Sequence, residues 1–171
     1  SSIYIYGEGW NFGEVENNAR GINATQLNIA GTGIGVFNDR LRDAVRGGNP
    51  FGDRQEQGLS NGQYVDSNGL DPESSSLDDV LLHMDQVRAS LAGNLMTYTF
   101  TDRNGDLVDG TQVVYGGDPA AYTLDPQENI VYVDKHDNET LYDNNVYKTP
   151  DADMDTRVRM QILGLSYTMY A

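Results

Sequence analysis

Two short acidic segments, each placed at the end of a run of strand-forming residues, carry the side chains that could do chemistry. The first is Tyr6-Gly7-Glu8-Gly9-Trp10, and the second is Tyr132-Val133-Asp134-Lys135-His136-Asp137-Asn138. Parallel β/α folds place catalytic groups just past the carboxyl ends of their strands. Cleavage of a glycosidic bond by acid-base catalysis requires at least two carboxyl groups at one site, such as one edge of a sheet. We therefore predict that Glu8 and Asp137 face a common cavity.

The elements that must position these acids alternate between strand and helix patterns. Runs of β-formers predict strands over residues 2–6, 34–37 and 130–133. Apolar spacing typical of helices follows Asn38, the capping residue Ser76, and Asp153. Three β/α units cannot close a sheet by themselves, so the pattern predicts an α/β fold that is a fragment of an eight-stranded (β/α)8 TIM barrel.

Two further stretches read as excursions from that fold. Residues 49–72 are rich in Gly, Asn, Asp and Ser, which predicts a loop insertion. Residues 97–115 alternate around Asn104-Gly105, which predicts a β-hairpin excursion because both residues tolerate positive φ.

Composition narrows the range of partners. The 171 residues carry a net charge of -15 and no cysteine. Coulomb repulsion argues against nucleic acid and anionic membrane surfaces, and leaves neutral polar ligands. No apolar run is long enough for a membrane span. Because the sequence lacks a start methionine and stops within a helical pattern, we expect a piece excised from a longer protein.

Three stretches resemble the pullulanase-type α-1,6-debranching enzymes, including limit dextrinases, of the α-amylase clan of glycoside hydrolases. They are YGEGWNFGE at residues 6–14, GTGIGVFNDRLRDAVRG at residues 31–47, and YVDKHDNETLY at residues 132–142. The similarity extends over essentially the whole chain. It implies that residues 1–171 are the C-terminal part of a catalytic barrel, roughly from strand 5 to helix 7.

The resemblance also implies site residues. Glu8 corresponds to the general acid/base of the family, and Asp137 to the acid that stabilises the transition state. His136 and Asn138 correspond to neighbouring groups that bind substrate. From the residues alone, Glu8 should lie in a partly desolvated pocket beside Trp10.

Four other residues are candidates for substrate contact. Trp10 and Phe12 have flat faces that could stack on glucose rings. Core packing is the alternative for both, and for Phe12 the two interpretations are equally good. Asn38 and Asp39 follow the middle strand at the same edge of the sheet. For Asn38, capping of the next helix is the alternative.

The function implied by the resemblance is hydrolysis of α-1,6-glucosidic linkages in pullulan, amylopectin and limit dextrins, with retention of configuration. Retaining enzymes of this clan need a nucleophilic Asp after an earlier strand, so we expect the chain alone to be inactive. A non-catalytic α-glucan-binding module and an α-1,4-acting amylase relative are the alternatives.

The expected partners are an α-glucan and the rest of the barrel. No cofactor and no metal site are predicted, although calcium occurs in parts of the clan. We expect an extracellular or cell-envelope location in a bacterium, and a cytoplasmic location is the open alternative.

Overall fold

The computed structural model describes residues 3–70 and 76–171. Ser2, where the first strand was predicted to start, and Asp71 and Pro72, at the end of the predicted loop insertion, lie outside the described residues. Within those residues the fold is mixed α/β. None of the described helices combines the length and the apolar character needed to cross a membrane.

The described strands are short. They are β1 (Tyr6–Gly7), β2 (Gly35–Phe37), β3 (Thr99–Thr101), β4 (Leu107–Asp109), β5 (Val114–Tyr115), β6 (Asp118–Pro119) and β7 (Asn129–Ile130). A parallel sheet has the order β1-β2-β7, with Tyr6 opposite Gly35 and Phe37 opposite Ile130. Because the strands are parallel, their carboxyl ends lie along one edge. Among the described residues this parallel sheet is open, and β3-β4 and β5-β6 form two separate antiparallel pairs.

The described α-helices each begin at a side-chain cap. They are α1 (Asp39–Arg46), α2 (Leu77–Leu91), α3 (Leu141–Lys148) and α4 (Met154–Tyr170). The caps are Asn38, Ser76, Thr140 and Asp153, and each accepts a hydrogen bond from the backbone N–H three residues later. Such caps satisfy backbone donors that the first turn leaves unpaired. The predicted cap at Ser76 is confirmed, and Asp153, the predicted start of the last helical pattern, also caps its helix.

Helix α1 lies at the centre of the main apolar core. Its residues Leu41, Ala44 and Val45 are fully buried and pack with Val87 of α2 and Leu141 of α3. Every residue of α1 after Asp39 is buried, including its arginines. The helix is therefore held on all sides, and its first turn has a fixed place beside the carboxyl edge of the sheet.

The antiparallel pair β3 and β4 forms the hairpin predicted at Asn104-Gly105. Asp102 Oδ1 accepts hydrogen bonds from the backbone N–H groups of Asn104 and Asp106 at 2.8 and 3.0 Å. Gly105 has φ of 87°, a conformation that favours glycine. The turn chemistry of this segment was thus readable from the sequence.

Two predicted strands differ from the observed ones. Only Tyr6 of the first predicted run pairs in β1, and its apolar residues are exposed, with Ile3 76% and Ile5 61% accessible. The reason is that β1 is the edge of the described sheet. Of the third run only Ile130 pairs, together with Asn129 just before it, while Val133 is buried by core packing without lying in a strand.

A tight backbone contact ends α1. Gly47 donates its N–H to Asp43 O at 2.9 Å and has φ of 93°. A Cβ at this position would lie 2.2 Å from the backbone oxygen of Glu56, in the loop that follows. The helix and the loop approach so closely only because residue 47 is a glycine.

We expect Gly47→Ala to lower the free energy of unfolding by about 3 kcal/mol or more, since it adds a steric clash to an unfavourable φ. Urea unfolding of the intact protein measures this. Gly105→Ala is the matched control: φ is 87° there and no atom lies within 4 Å of the added Cβ. It should cost only about 1–2 kcal/mol. Equal losses would show that the contact with Glu56 is not rigid.

Candidate active site

The two predicted acids meet at the carboxyl edge of the parallel sheet. Glu8 directly follows β1, and Asp137 lies in the segment that leads from β7 to α3. Strand β2 separates β1 from β7, yet the carboxylate oxygens of Glu8 and Asp137 and a ring nitrogen of His136 all lie within 4.8 Å of one another. The side chain of Glu8 is 45% exposed, so burial among the described residues is partial.

A cleft of about 490 Å³ opens beside these acids. The lining residues come from the segments after β1 and β7, from the first turn of α1, and from the loop after α1. They are Glu8, Trp10, Phe12, Asp39, Arg42, Asn49, Pro50, Phe51, Lys135, Asp137 and Asn138. Apolar walls with a few convergent polar groups are typical of small-molecule sites.

Lys135 lies between the two acids. Its Nζ is 3.5 Å from Glu8 Oε1 and forms an ion pair with Asp137 Oδ2. The same ammonium stands 4.9 Å from the ring centroid of Phe37 and 5.6 Å from that of Trp10. Only 11% of the lysine side chain is exposed. The sequence alone predicts no role for Lys135.

Asp137 is held in its ionised form by its neighbours. Its pKa lies below the ordinary value, first because Lys135 donates a hydrogen bond to it, and then because Lys135, His136 and Arg42 attract the carboxylate charge. His136 Nε2 lies 3.1 Å from Asp137 Oδ1, and its side chain is 78% exposed. A charged, hydrogen-bond-accepting Asp137 suits contacts with hydroxyl groups or with developing positive charge.

The close grouping of Glu8, His136 and Asp137 offers oxygen and nitrogen donors at a spacing that a metal ion could use. The ammonium of Lys135 already supplies a positive charge between the two carboxylates. This internal cation accounts for the proximity of the acids without a metal.

The aromatic residues of the first segment have different surroundings. Trp10 is half-buried and packs against Phe37, with ring centroids 6.3 Å apart. The Arg42 guanidinium lies 6.0 Å from the Trp10 ring. Phe12 lines the cleft and is 66% exposed, so among the described residues it has no core packing.

Asn38 and Asp39 differ although they are adjacent. Asn38 is completely buried outside the cleft: its Oδ1 caps α1 at Leu41 N, and its Nδ2 donates to Asn129 Oδ1 at 2.9 Å. The structure thus favours the capping alternative for Asn38. Asp39 lines the cleft and accepts a hydrogen bond from Gln26 Nε2 at 2.9 Å. Asn138 also lines the cleft, and it donates its Nδ2 to Glu139 O.

Arg42 is a site residue that sequence reasoning missed. Its Nε pairs with Asp43 Oδ1 at 2.6 Å, and its Nη1 donates to the Tyr132 hydroxyl at 2.7 Å. Burial would lower the pKa of Arg42, but the Asp43 carboxylate outweighs this effect and the pKa is raised. Helical periodicity places position 42 on a different side of α1 from the core residue Leu41, but it does not identify the residues that surround the Arg42 side chain.

No protein-family model matches the sequence. The chain is 45% identical over 170 residues to the chloroplastic pullulanase 1 of Arabidopsis thaliana. The alignment covers 97% of this chain and 18% of that protein. It is 46% identical over 173 residues to the pullulanase of Klebsiella aerogenes, covering 98% of this chain and 15% of that protein.

Solved structures agree with these relatives. The pullulanase of Klebsiella pneumoniae complexed with maltotriose superposes with a TM-score of 0.88 at 44% identity, covering 98% of this chain and 16% of that one. The chain spans less than a fifth of the length of each of these relatives. Over nearly its whole length, the chain is similar to one segment of these pullulanases.

Proposed function

We propose that the intact protein carrying this segment hydrolyses α-1,6-glucosidic linkages in pullulan, amylopectin and limit dextrins, with retention of configuration. The observation that carries this proposal is the meeting of Glu8 and Asp137 in one cleft at the carboxyl edge of a parallel sheet. The names of the relatives support the substrate class. On this proposal the chain is roughly strand 5 to helix 7 of a (β/α)8 barrel, with the hairpin of β3 and β4 as an excursion.

Glu8 is the proposed general acid/base. It protonates the bridging oxygen as the linkage breaks, and later it removes a proton from the attacking water. Its position supports this role, because its carboxylate reaches the cleft and is accessible. The ion pair with Lys135 fixes the direction in which it points.

Asp137 is the proposed transition-state stabiliser. As an anion it accepts hydrogen bonds from sugar hydroxyls and attracts the positive charge that develops at the anomeric carbon. The neighbouring cations that lower its pKa keep it in the form that this role requires. His136, beside it and exposed, is placed to donate to the same sugar ring.

Substrate contacts are assigned to the other walls of the cleft. Trp10 and Phe12 provide flat faces for glucose rings, and Asp39 and Asn138 provide polar groups. Asn38 does not line the cleft, but its side chain caps α1 and so fixes the start of the helix that carries Asp39.

The nucleophile belongs, on this proposal, to a part of the barrel before residue 1, so the chain alone is inactive and its partners are the substrate and the remaining barrel. Maltotriose bound to the relative from Klebsiella pneumoniae supports an α-glucan ligand. Because polymeric glucans in the surroundings do not cross a bacterial membrane, we also propose an extracellular or cell-envelope location.

In the intact enzyme, we expect Glu8→Gln to lower kcat on pullulan by about 100- to 10,000-fold with a small change in KM, because it removes proton transfer and keeps the shape of the side chain. Glu14→Gln is the matched control. It makes the same change six positions away, at a side chain that is 76% exposed and paired with Arg20. Release of new reducing ends measures both variants.

The same assay separates the alternatives. A glucan-binding module would saturate with pullulan oligosaccharides and release no reducing ends. An amylase relative would prefer amylose to pullulan. Near-normal turnover by Glu8→Gln would remove Glu8 from the mechanism even if pullulan is the substrate.

For Phe12→Ala we expect KM for pullulan oligosaccharides to rise about 5- to 10-fold, since stacking of an aromatic ring contributes about 1 kcal/mol. The unfolding temperature should change little, because the ring is exposed. Ile22→Ala, at a side chain 91% exposed outside the cleft, is the control. A large loss of stability with unchanged KM would instead identify Phe12 as a packing residue in the intact enzyme.

A further inference from the structure

A lysine that is almost completely buried must have partners that compensate for its lost hydration. Lys135 has 11% of its side chain exposed, and its described partners are the two carboxylates of the candidate site. Its ammonium also faces the rings of Phe37 and Trp10 at 4.9 and 5.6 Å. Cations are attracted to ring faces at such distances. These four contacts fix the ammonium in one place.

The carboxylates need such a cation. Glu8 and Asp137 approach within 4.8 Å and would repel each other if both were ionised. Lys135 Nζ contacts an oxygen of each. The cation therefore converts a repulsive pair into a connected row of three charges, which spans from the segment after β1 to the segment after β7.

The aromatic contacts matter for a second reason. Phe37, under the ammonium, ends β2, the strand that separates β1 from β7. It also packs against Tyr132, with centroids 5.3 Å apart. The lysine thus rests on the middle strand and links the segments on both flanks.

We propose that Lys135 is a positioning residue of the active site: it bridges Glu8 and Asp137 across the end of β2 and holds both carboxylates toward the cleft. This inference rests on the function proposed for the site. Lys135 itself transfers no proton and forms no bond with the substrate. It acts through the two acids, by fixing their separation and by keeping Asp137 anionic.

Other charged groups near Lys135 do not replace it. Arg42, from α1, faces the same cleft, but its Nε and Nη1 are engaged by Asp43 and Tyr132. Asp39, also from α1, lines the cleft but is already paired with Arg40, whose Nη1 lies 2.5 Å from Asp39 Oδ1. His136 contacts Asp137 on its exposed side. Removal of Lys135 therefore leaves Glu8 and Asp137 with less positive charge between them.

Loss of the bridge has a defined pH signature. Lys135 is the first cause of the low pKa of Asp137, so its removal raises that pKa. Activity that requires ionised Asp137 is then lost at a higher pH as the solution is acidified. The acid limb of the pH profile of kcat/KM should move to higher pH.

The test uses Lys135→Met and Lys135→Arg in the intact enzyme. We expect K135M to lower kcat on pullulan about 10- to 100-fold, more than it raises KM, because small displacements of catalytic groups are costly. Its acid limb should move to higher pH. K135R, which keeps the charge, should restore the wild-type limb and part of kcat.

Arg159→Met is the matched control for loss of one positive charge. Arg159 lies on α4, is 77% exposed and pairs only with the exposed Asp155 among its described ion pairs. Its kcat, KM and pH profile should match the wild type. A K135M enzyme with the wild-type acid limb, or with kcat within threefold of wild type, would overturn the proposal. So would a K135R enzyme that behaves like K135M.

A crystal structure of K135M separates this inference from the proposed function. If the wild-type enzyme does not cleave pullulan, the proposed function fails. The crystal structure of K135M then tests by itself whether Lys135 bridges Glu8 and Asp137. Carboxylates of Glu8 and Asp137 that move apart in K135M support the bridge, and carboxylates that stay in place overturn it.

Discussion

The parallel pairing of β1 and β7 on either side of β2 is the constraint on which the site depends. Each pairing is only two residues long, yet together they connect segments that are far apart in the sequence. Val36 at the centre of β2 is fully buried, and a Cβ at Gly9 would lie 2.7 Å from its side chain. The turn that carries Glu8 therefore contacts the middle strand closely. Any side chain larger than hydrogen at position 9 would displace this turn.

Helix α1, which forms one wall of the cleft, has charged side chains that are buried. In α1, Arg40, Arg42, Asp43 and Arg46 are all less than 9% exposed. Buried charges destabilise a fold unless each is paired or hydrogen-bonded. Arg42 binds Asp43 and Tyr132, Arg40 donates to Pro119 O at 3.1 Å, and Arg46 donates to Asn144 Oδ1 at 2.7 Å. These bonds tie the helix to three distant segments, which fixes the cleft wall that α1 provides.

Local chemistry made much of this fold predictable from the sequence. The caps at Ser76 and Asp153 and the turn at Asn104-Gly105 depend on residues within a few positions of one another, and the structure contains all of them. Helix α3 was missed because its sequence is largely polar, although Thr140 and Asp143 form a cap of the same kind at its start. A capping pattern therefore identified a helix only where apolar periodicity followed it, and α3 lacks that periodicity.

Burial was less predictable, because it depends on what packs against an element. In α2 the apolar residue Met84 is 46% exposed, while Asp85 in the same helix is buried and accepts a hydrogen bond from Arg103 N. In α4, Ile162 is 60% exposed and Met160 is buried. The same limit explains why Lys135 and Arg42 received no role: their spacing in sequence says nothing about the acids and rings that surround them.

The charges of the cleft indicate why a chain so acidic suits a neutral ligand. Its net charge is -15, which repels anions, but within the cleft Lys135 and Arg42 stand among Glu8, Asp39 and Asp137. These internal cations reduce the local negative potential that would otherwise attract metal ions or basic partners. A sugar brings no charge into this balance, and a glycosidic bond acquires positive charge only as it breaks. On the proposed function, a slight excess of carboxylates at the site would stabilise that transition state more than the ground state, which is the condition for catalysis.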